Sequence, residues 1–157
     1  MDMTAKWLLA IMVAALSQAA LADDYTCPAS LDVKEKLVSE STEWLGMYEK
    51  SSGEIAYTDG NEVSDTIKLV DVSLYSGEPK EQAALVPDNA DTLTEEEGDT
   101  LWSFSSADDQ KAKPLYIVCH YEGSSLGVFK KVAAPVKSCA WHFKPDAENN
   151  IVACVPY

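Results

Sequence analysis

Four cysteines, two histidines and a run of carboxylates are the residues of this chain whose types could do chemistry. Cys27, Cys119, Cys139 and Cys154 make an even set with no Cys-x-x-Cys spacing, which fits paired disulfides in an oxidising compartment better than a zinc site. Four cysteines permit three pairings. The stretches Cys139 to Phe143 and Ile151 to Cys154 flank the turn-like segment Pro145-Asp146-Ala147-Glu148-Asn149-Asn150. Folding that segment as a hairpin sets Phe143 opposite Asn150 and Cys139 opposite Cys154. Cys139, Trp141, Phe143, Val152 and Cys154 then share one apolar face. Cys139 with Cys154 is the favoured pair, and Cys27 is left with Cys119.

The remaining chemistry is sparse. A hydrolytic nucleophile needs a base oriented by a third group, and strand alternation turns His120 away from Cys119, and His142 away from Trp141 and Phe143. Both histidines are expected to face solvent. The chain contains no GxSxG elbow, HExxH helix, phosphate-binding loop or dinucleotide glycine motif. Carboxylates are plentiful, but glycosidase chemistry needs one with a raised pKa beside apolar surface. No catalytic residue is assigned. Asp88-Asn89-Ala90-Asp91 with Glu95 to Glu97 supplies oxygens for a hard cation, yet the ordered ligand spacing of a calcium loop is absent. Neither a metal nor a cofactor is expected.

The elements that would position these residues read mostly as strands. Ser30 to Val38 alternates with a period of two, with helix as an alternative from Lys34 onward. Thr66 to Tyr75 is a firmer strand, placing Ile67, Leu69, Asp71, Ser73 and Tyr75 on one side and Lys68, Val70, Val72 and Leu74 on the other. Ser51-Ser52-Gly53 and Asp59-Gly60-Asn61 mark turns. Pro79 to Val86 suits one or two helical turns before Pro87-Asp88. Asp88 to Thr100 is a solvated acidic loop, because like charges resist packing. Leu101 to Phe104 resumes a strand with Trp102 and Phe104 on one face, and Asp108-Asp109-Gln110 makes the next turn. Leu115 to Tyr121, Leu126 to Val132, Cys139 to Phe143 and Ile151 to Val155 form a C-terminal meander. The expected fold is α+β but mainly β: a single domain with one curved antiparallel sheet, one or two short helical turns and two disulfides.

The N-terminus supplies an address. Lys6 precedes the apolar run Trp7 to Ala15, and the segment closes on Ala20-Leu21-Ala22 before Asp23-Asp24, the layout of a secretory signal peptide. Ser17 and Gln18 interrupt the run well short of the roughly 20 apolar residues of a membrane span. Cys27 lies too far from the cleavage point for a lipid-modified terminus. Residues 1–22 are therefore read as a signal peptide and 23–157 as one secreted domain in the periplasm or outside the cell, with no stable membrane anchor after cleavage. That domain keeps the whole net charge of −14, from 25 acidic and 11 basic side chains. Such a surface disfavours nucleic acid and anionic lipid, and favours a basic protein partner.

Several blocks resemble one family. Leu74-Tyr75-Ser76-Gly77-Glu78-Pro79 running to Leu85-Val86-Pro87-Asp88, Cys27-Pro28, Trp102-Ser103-Phe104, Cys119-His120-Tyr121-Glu122-Gly123 and the late Cys139 and Cys154 together resemble a family of small, uncharacterised, signal-bearing proteins of proteobacteria. The resemblance implies a bacterial periplasmic protein and carries over no catalytic residues. A non-enzymatic binding, inhibitor or immunity protein acting on a basic partner is the leading functional reading. The alternatives are a structural or stress-related envelope protein and a small carboxylate-dependent hydrolase. Periplasmic lysozyme inhibitors share the profile, but Ser52-Gly53-Glu54-Ile55-Ala56-Tyr57 has one residue more than their Ser-Gly-x-x-Tyr segment. The candidate partner-binding residues are Trp44, Tyr48, Tyr75, Glu95, Glu96, Glu97 and Asp99, since tyrosine and tryptophan anchor interfaces and the carboxylates would meet basic groups.

Overall fold

A computed structural model describes residues 22–36, 46–57, 62–92, 99–142 and 149–157. The expected leader up to residue 21, Leu37, Val38, Trp44, the expected turn at Asp59 to Asn61, Glu95 to Glu97 and residues 143–148 lie outside the described residues.

The architecture follows from one bent strand. β1 (Asp23–Pro28) runs through Ala29 into β2 (Ser30–Glu35), with Tyr25, Cys27, Leu31 and Val33 turned inward at every second position. β1 pairs antiparallel with β10 (Asn149–Pro156), and β2 with the first half of β5 (Val63–Ser76). The bend at Ala29 therefore hands the chain from one four-stranded sheet to another. The first has the order β1-β10-β9-β6, where β9 is Val136–His142 and β6 is Asp99–Ser103. The second has the order β2-β5-β7-β8, where β7 is Leu115–Tyr121 and β8 is Gly127–Lys131. Joined through the bent strand, the two curl into an antiparallel half-barrel. A small third sheet, β3 (Met47–Glu49) with β4 (Ile55–Tyr57), stands apart as a hairpin.

The concave side holds the core, where Ile67, Leu74, Ile117, Val136 and Val152 are almost fully buried. Two disulfides run through it. Cys139 and Cys154 are directly opposed in the β9–β10 ladder and bonded, the pair that the hairpin register favours. Cys27 on β1 is bonded to Cys119 on β7. These strands belong to different sheets, so this second bridge braces the two halves across the barrel. Tyr121 reinforces it by donating from its hydroxyl to the Pro28 carbonyl at 2.8 Å. The four C-terminal strands form two hairpins, β7–β8 and β9–β10, one in each half.

Two local readings need correction. Strict alternation along β5 places Ile67 and Leu69 opposite Val72 and Leu74, yet all four are buried. A β-bulge between Leu69 and Asp71 supplies one extra residue, Val70, which is exposed, and the faces exchange beyond it. The segment around Asp108 is a short helix, α1 (Ala107–Ala112), and not a turn. Its N-cap is Ser106, whose Oγ accepts from the Asp109 amide at 3.2 Å. The helix is held by Gln110, whose buried side-chain amide donates to the Val136 carbonyl at 2.7 Å and accepts from the Val136 amide at 2.8 Å. Lys34 and Glu35 belong to β2, so the helical alternative there does not form.

Pro79–Glu81 forms a single 3-10 turn. It follows Gly77, whose φ of +88° and amide bond to the Pro114 carbonyl turn the chain out of β5. The chain then returns as a strap. Ser76 and Leu85 donate backbone bonds to Ala83 and Leu74, Asp88 donates to Leu101, and the Asn89 side chain pairs with the Leu101 amide and the Asp99 carbonyl. The strap covers the outer edge of β6, which an incoming strand could otherwise use.

Candidate functional site

Among the described residues, the groups singled out for chemistry do not assemble a reaction centre. His120 is half-buried rather than turned freely to solvent, with its Nε2 3.1 Å from Ser73 Oγ. A serine and a histidine at that distance are two members of a nucleophile triad, but no carboxylate hydrogen-bonds the other ring nitrogen among the described residues. His142 is exposed, and its Nδ1 lies 2.5 Å from Asp99 Oδ1 at the outer end of the β6–β9 ladder. Asp99 thus sits at a strand start with a local partner. Among the described residues no group of three histidine, cysteine or acidic side chains is placed to hold a metal. Asn89, counted above among oxygen donors, uses its side chain to seam the strap to β6. An open cavity of about 470 Å³ is walled by Ser103, Phe104, Ser106, Asp109 and Lys113.

Two surfaces have the composition of binding sites instead. The first is the β3–β4 hairpin. Its register sets Met47 opposite Tyr57, Tyr48 opposite Ala56 and Glu49 opposite Ile55, so one face carries Met47, Tyr57, Ile55 and Glu49 and the other carries Tyr48 and Ala56. The inner face is tied down by Asp65 of β5. Tyr48 donates its hydroxyl to Asp65 Oδ2 at 3.2 Å, the Ser51 amide donates to the same oxygen at 2.9 Å, and Ser51 Oγ donates to Oδ1 at 3.1 Å. The Ser51 amide is the largest cause holding the Asp65 carboxyl below its ordinary range. Desolvation, followed by the hydrogen bond to Asp65, pushes the Tyr48 hydroxyl up. With that anchor set, the outer face is left open: Met47 is 62 % exposed, Ile55 45 % and Tyr57 70 %.

The second surface is the convex side of β5, β7 and β8. Pairing aligns Tyr75 with Tyr116 and Lys131, and Ser73 with Val118 and Phe129. Tyr75 and Tyr116 are half-buried, while Phe129 is largely exposed and meets Tyr116 edge-on with 6.2 Å between ring centroids. Among the described residues β8 has a strand partner on one side only.

Of the sequence-derived candidates, Tyr48 lies on the anchored side of the hairpin, Tyr75 on the convex sheet face and Asp99 at the β6 start. The structure does not bring these three together, and Trp44, Glu95, Glu96 and Glu97 fall outside the described residues. Met47, Ile55, Tyr57, Tyr116 and Phe129 were not singled out by type. Their signal was available for the hairpin: two alternating triplets, Met-Tyr-Glu and Ile-Ala-Tyr, flank a Ser-Ser-Gly turn.

A disulfide-braced β domain with preformed, exposed apolar faces has the surface of a binding protein. Comparison with known families carries this further. The chain belongs to the type VI secretion system Tli immunity protein family, whose model matches residues 64–155, more than half of the chain. It is an immunity protein and not an enzyme. No curated protein and no solved structure matches the chain. The matched span takes in the tyrosine-to-proline-aspartate block, Trp102 to Phe104, Cys119 to Gly123, Cys139 and Cys154. Cys27-Pro28 lies before it.

Proposed function

We propose that this chain is exported to the periplasm, loses its leader after Ala22, and there binds and inhibits a cognate type VI lipase effector that would otherwise attack the cell's own membrane. The observation carrying this reading is the family match over residues 64–155. The physical features agree with it. Two disulfides suit an oxidising compartment, and a braced half-barrel presents its binding faces with little ordering left to do on association. The charge of −14 would steer the protein toward a basic face on the effector, raising the association rate and making it fall with salt. Residues 23–157 act as one domain in this reading.

The test is direct. The mature chain is mixed with the purified cognate lipase effector, and complex formation and phospholipid hydrolysis are followed together. The expected result is a stoichiometric complex that abolishes hydrolysis, with an association rate that declines as salt rises. Absence of both complex and inhibition at micromolar protein would overturn the proposal.

A further inference from the structure

We infer that the outer face of the β3–β4 hairpin, carrying Met47, Ile55 and Tyr57, is the element that enters the acyl-chain cleft of the lipase effector and sets which effector is recognised. This rests on the immunity reading above and assigns it a surface.

Three observations carry it. Met47, Ile55 and Tyr57 lie on one face of a two-stranded hairpin and are 62 %, 45 % and 70 % exposed, a clustering that a lone surface hydrophobe does not need explained but a group of three does. The hairpin is held in place: among the described residues its hydrogen bonds to the half-barrel all end on Asp65 and Thr66, through Tyr48 and Ser51. It is therefore a presented element and not a segment that collapsed where it could. Finally, the hairpin lies outside the span shared with the family, which begins at residue 64 inside β5. β1 and β2 also precede that span, but they complete the core. The hairpin spends its side chains on the outside.

The chemistry of the face selects its occupant. A lipase must hold hydrocarbon chains, so its substrate cleft is apolar and narrow. A hairpin three residues long on each side is roughly 10 Å in length, with strands about 5 Å apart, a slender projection of the scale of such a cleft. Methionine adapts to an irregular apolar wall, and tyrosine supplies area with a polar tip. Glu49 shares the face, and Glu54 adjoins the turn with its carboxylate 3.0 Å from Lys50. Glu54 is thus paired with a cation of the hairpin itself, and the carboxylate that shares the apolar face is Glu49, which fits an apolar cleft with a basic residue at its border.

The test uses the whole mature chain and the purified effector. One variant combines Met47→Ser, Ile55→Ser and Tyr57→Ser, and a control replaces Val86, a still more exposed apolar side chain on the strap, by serine. Circular dichroism and thiol titration establish that both are folded with intact disulfides. The hairpin variant is expected to bind at least about 100-fold more weakly, the loss of more than one interface anchor, while the control binds within about twofold of the parent. The parent protein, and not the variant, is also expected to displace a fluorescent fatty acid from the effector. If the parent binds and the hairpin variant binds equally well, the hairpin assignment is overturned while the immunity reading stands. If the hairpin variant loses binding but the parent does not displace the fatty acid, occupancy of the acyl cleft is overturned. Failure of the parent itself to bind would overturn the immunity reading together with this one.

Discussion

Removing the Cys27–Cys119 bridge should cost more stability than removing Cys139–Cys154, and the difference can be worked from chain separation. In the chain-entropy treatment, a cross-link removes denatured-state entropy that grows with the logarithm of the enclosed loop. The two bridges span 92 and 15 residues, which corresponds to about 4.6 and about 3.0 kcal/mol at 25 °C. The packing losses nearly cancel in the comparison, because all four cysteines are at most 6 % exposed and each Ala pair removes the same two sulfurs. Fold geometry acts in the same direction. Cys139 and Cys154 already face each other in a hydrogen-bonded ladder, whereas Cys27 and Cys119 join sheets held to each other through the bent first strand. Urea unfolding of Cys27→Ala/Cys119→Ala and Cys139→Ala/Cys154→Ala under oxidising conditions measures both losses. With a slope of about 1.5 kcal/mol/M, the midpoints of the two variants should differ by about 1 M. Equal midpoints, or a larger loss in the Cys139/Cys154 variant, would refute the assignment of the long bridge as the main brace.

Other perturbations follow from single contacts. Gln110→Leu keeps the volume but strands the buried Val136 amide and carbonyl, at about 1–3 kcal/mol for each group; thermal unfolding should show the loss, and a change below about 0.5 kcal/mol would mean that α1 is not held by this pair. Gly77→Ala places a Cβ at φ +88° and 2.6 Å from Lys113 Cε. Because Lys113 can move, the cost should be chiefly backbone strain, about 1–2 kcal/mol, and a stabilised variant would contradict the geometry. The Asp65 carboxyl is held below its ordinary range chiefly by the Ser51 amide. Its anchoring of the hairpin is thus complete above the ordinary Asp value, about 3.9, and is lost as pH falls through the lowered folded value. The Ser51 amide resonance should report that transition in the parent and lose it in Asp65→Asn, with no change near neutrality in either; a Ser51 titration at or above the ordinary Asp value would contradict the anchor.

How much was legible depends on whether a residue's partner is local. β7 could be bounded from Leu115 to Tyr121 because a short, largely apolar run lies there between Pro114 and Gly123. The Cys139–Cys154 pair followed from one hairpin and a period of two. The β5 bulge was hidden because Leu69, Val70, Val72 and Leu74 are apolar in both phases, so composition could not say where the face exchanges. α1 was read as a turn because six residues carry too little periodicity, and the contact that holds it reaches Val136, 26 residues away. Among the binding candidates, residue type pointed to Tyr48 and Tyr75. The structure leaves Tyr48 half-buried and bonded to Asp65, and exposes Tyr57 across the same hairpin.

Strand content, the capacity to form two disulfides and the acidic character of the chain were settled by the sequence alone, since each depends on residue type and short-range spacing. Tertiary structure decided the rest. The bend at Ala29 splits one strand between two sheets, the Asp65 anchor turns the hairpin's apolar face outward, and the strap covers the β6 edge. Each of these depends on groups brought together from distant parts of the chain. Exposure is a property of that assembly, and exposure is what distinguishes an apolar residue available to a partner from one spent on the core.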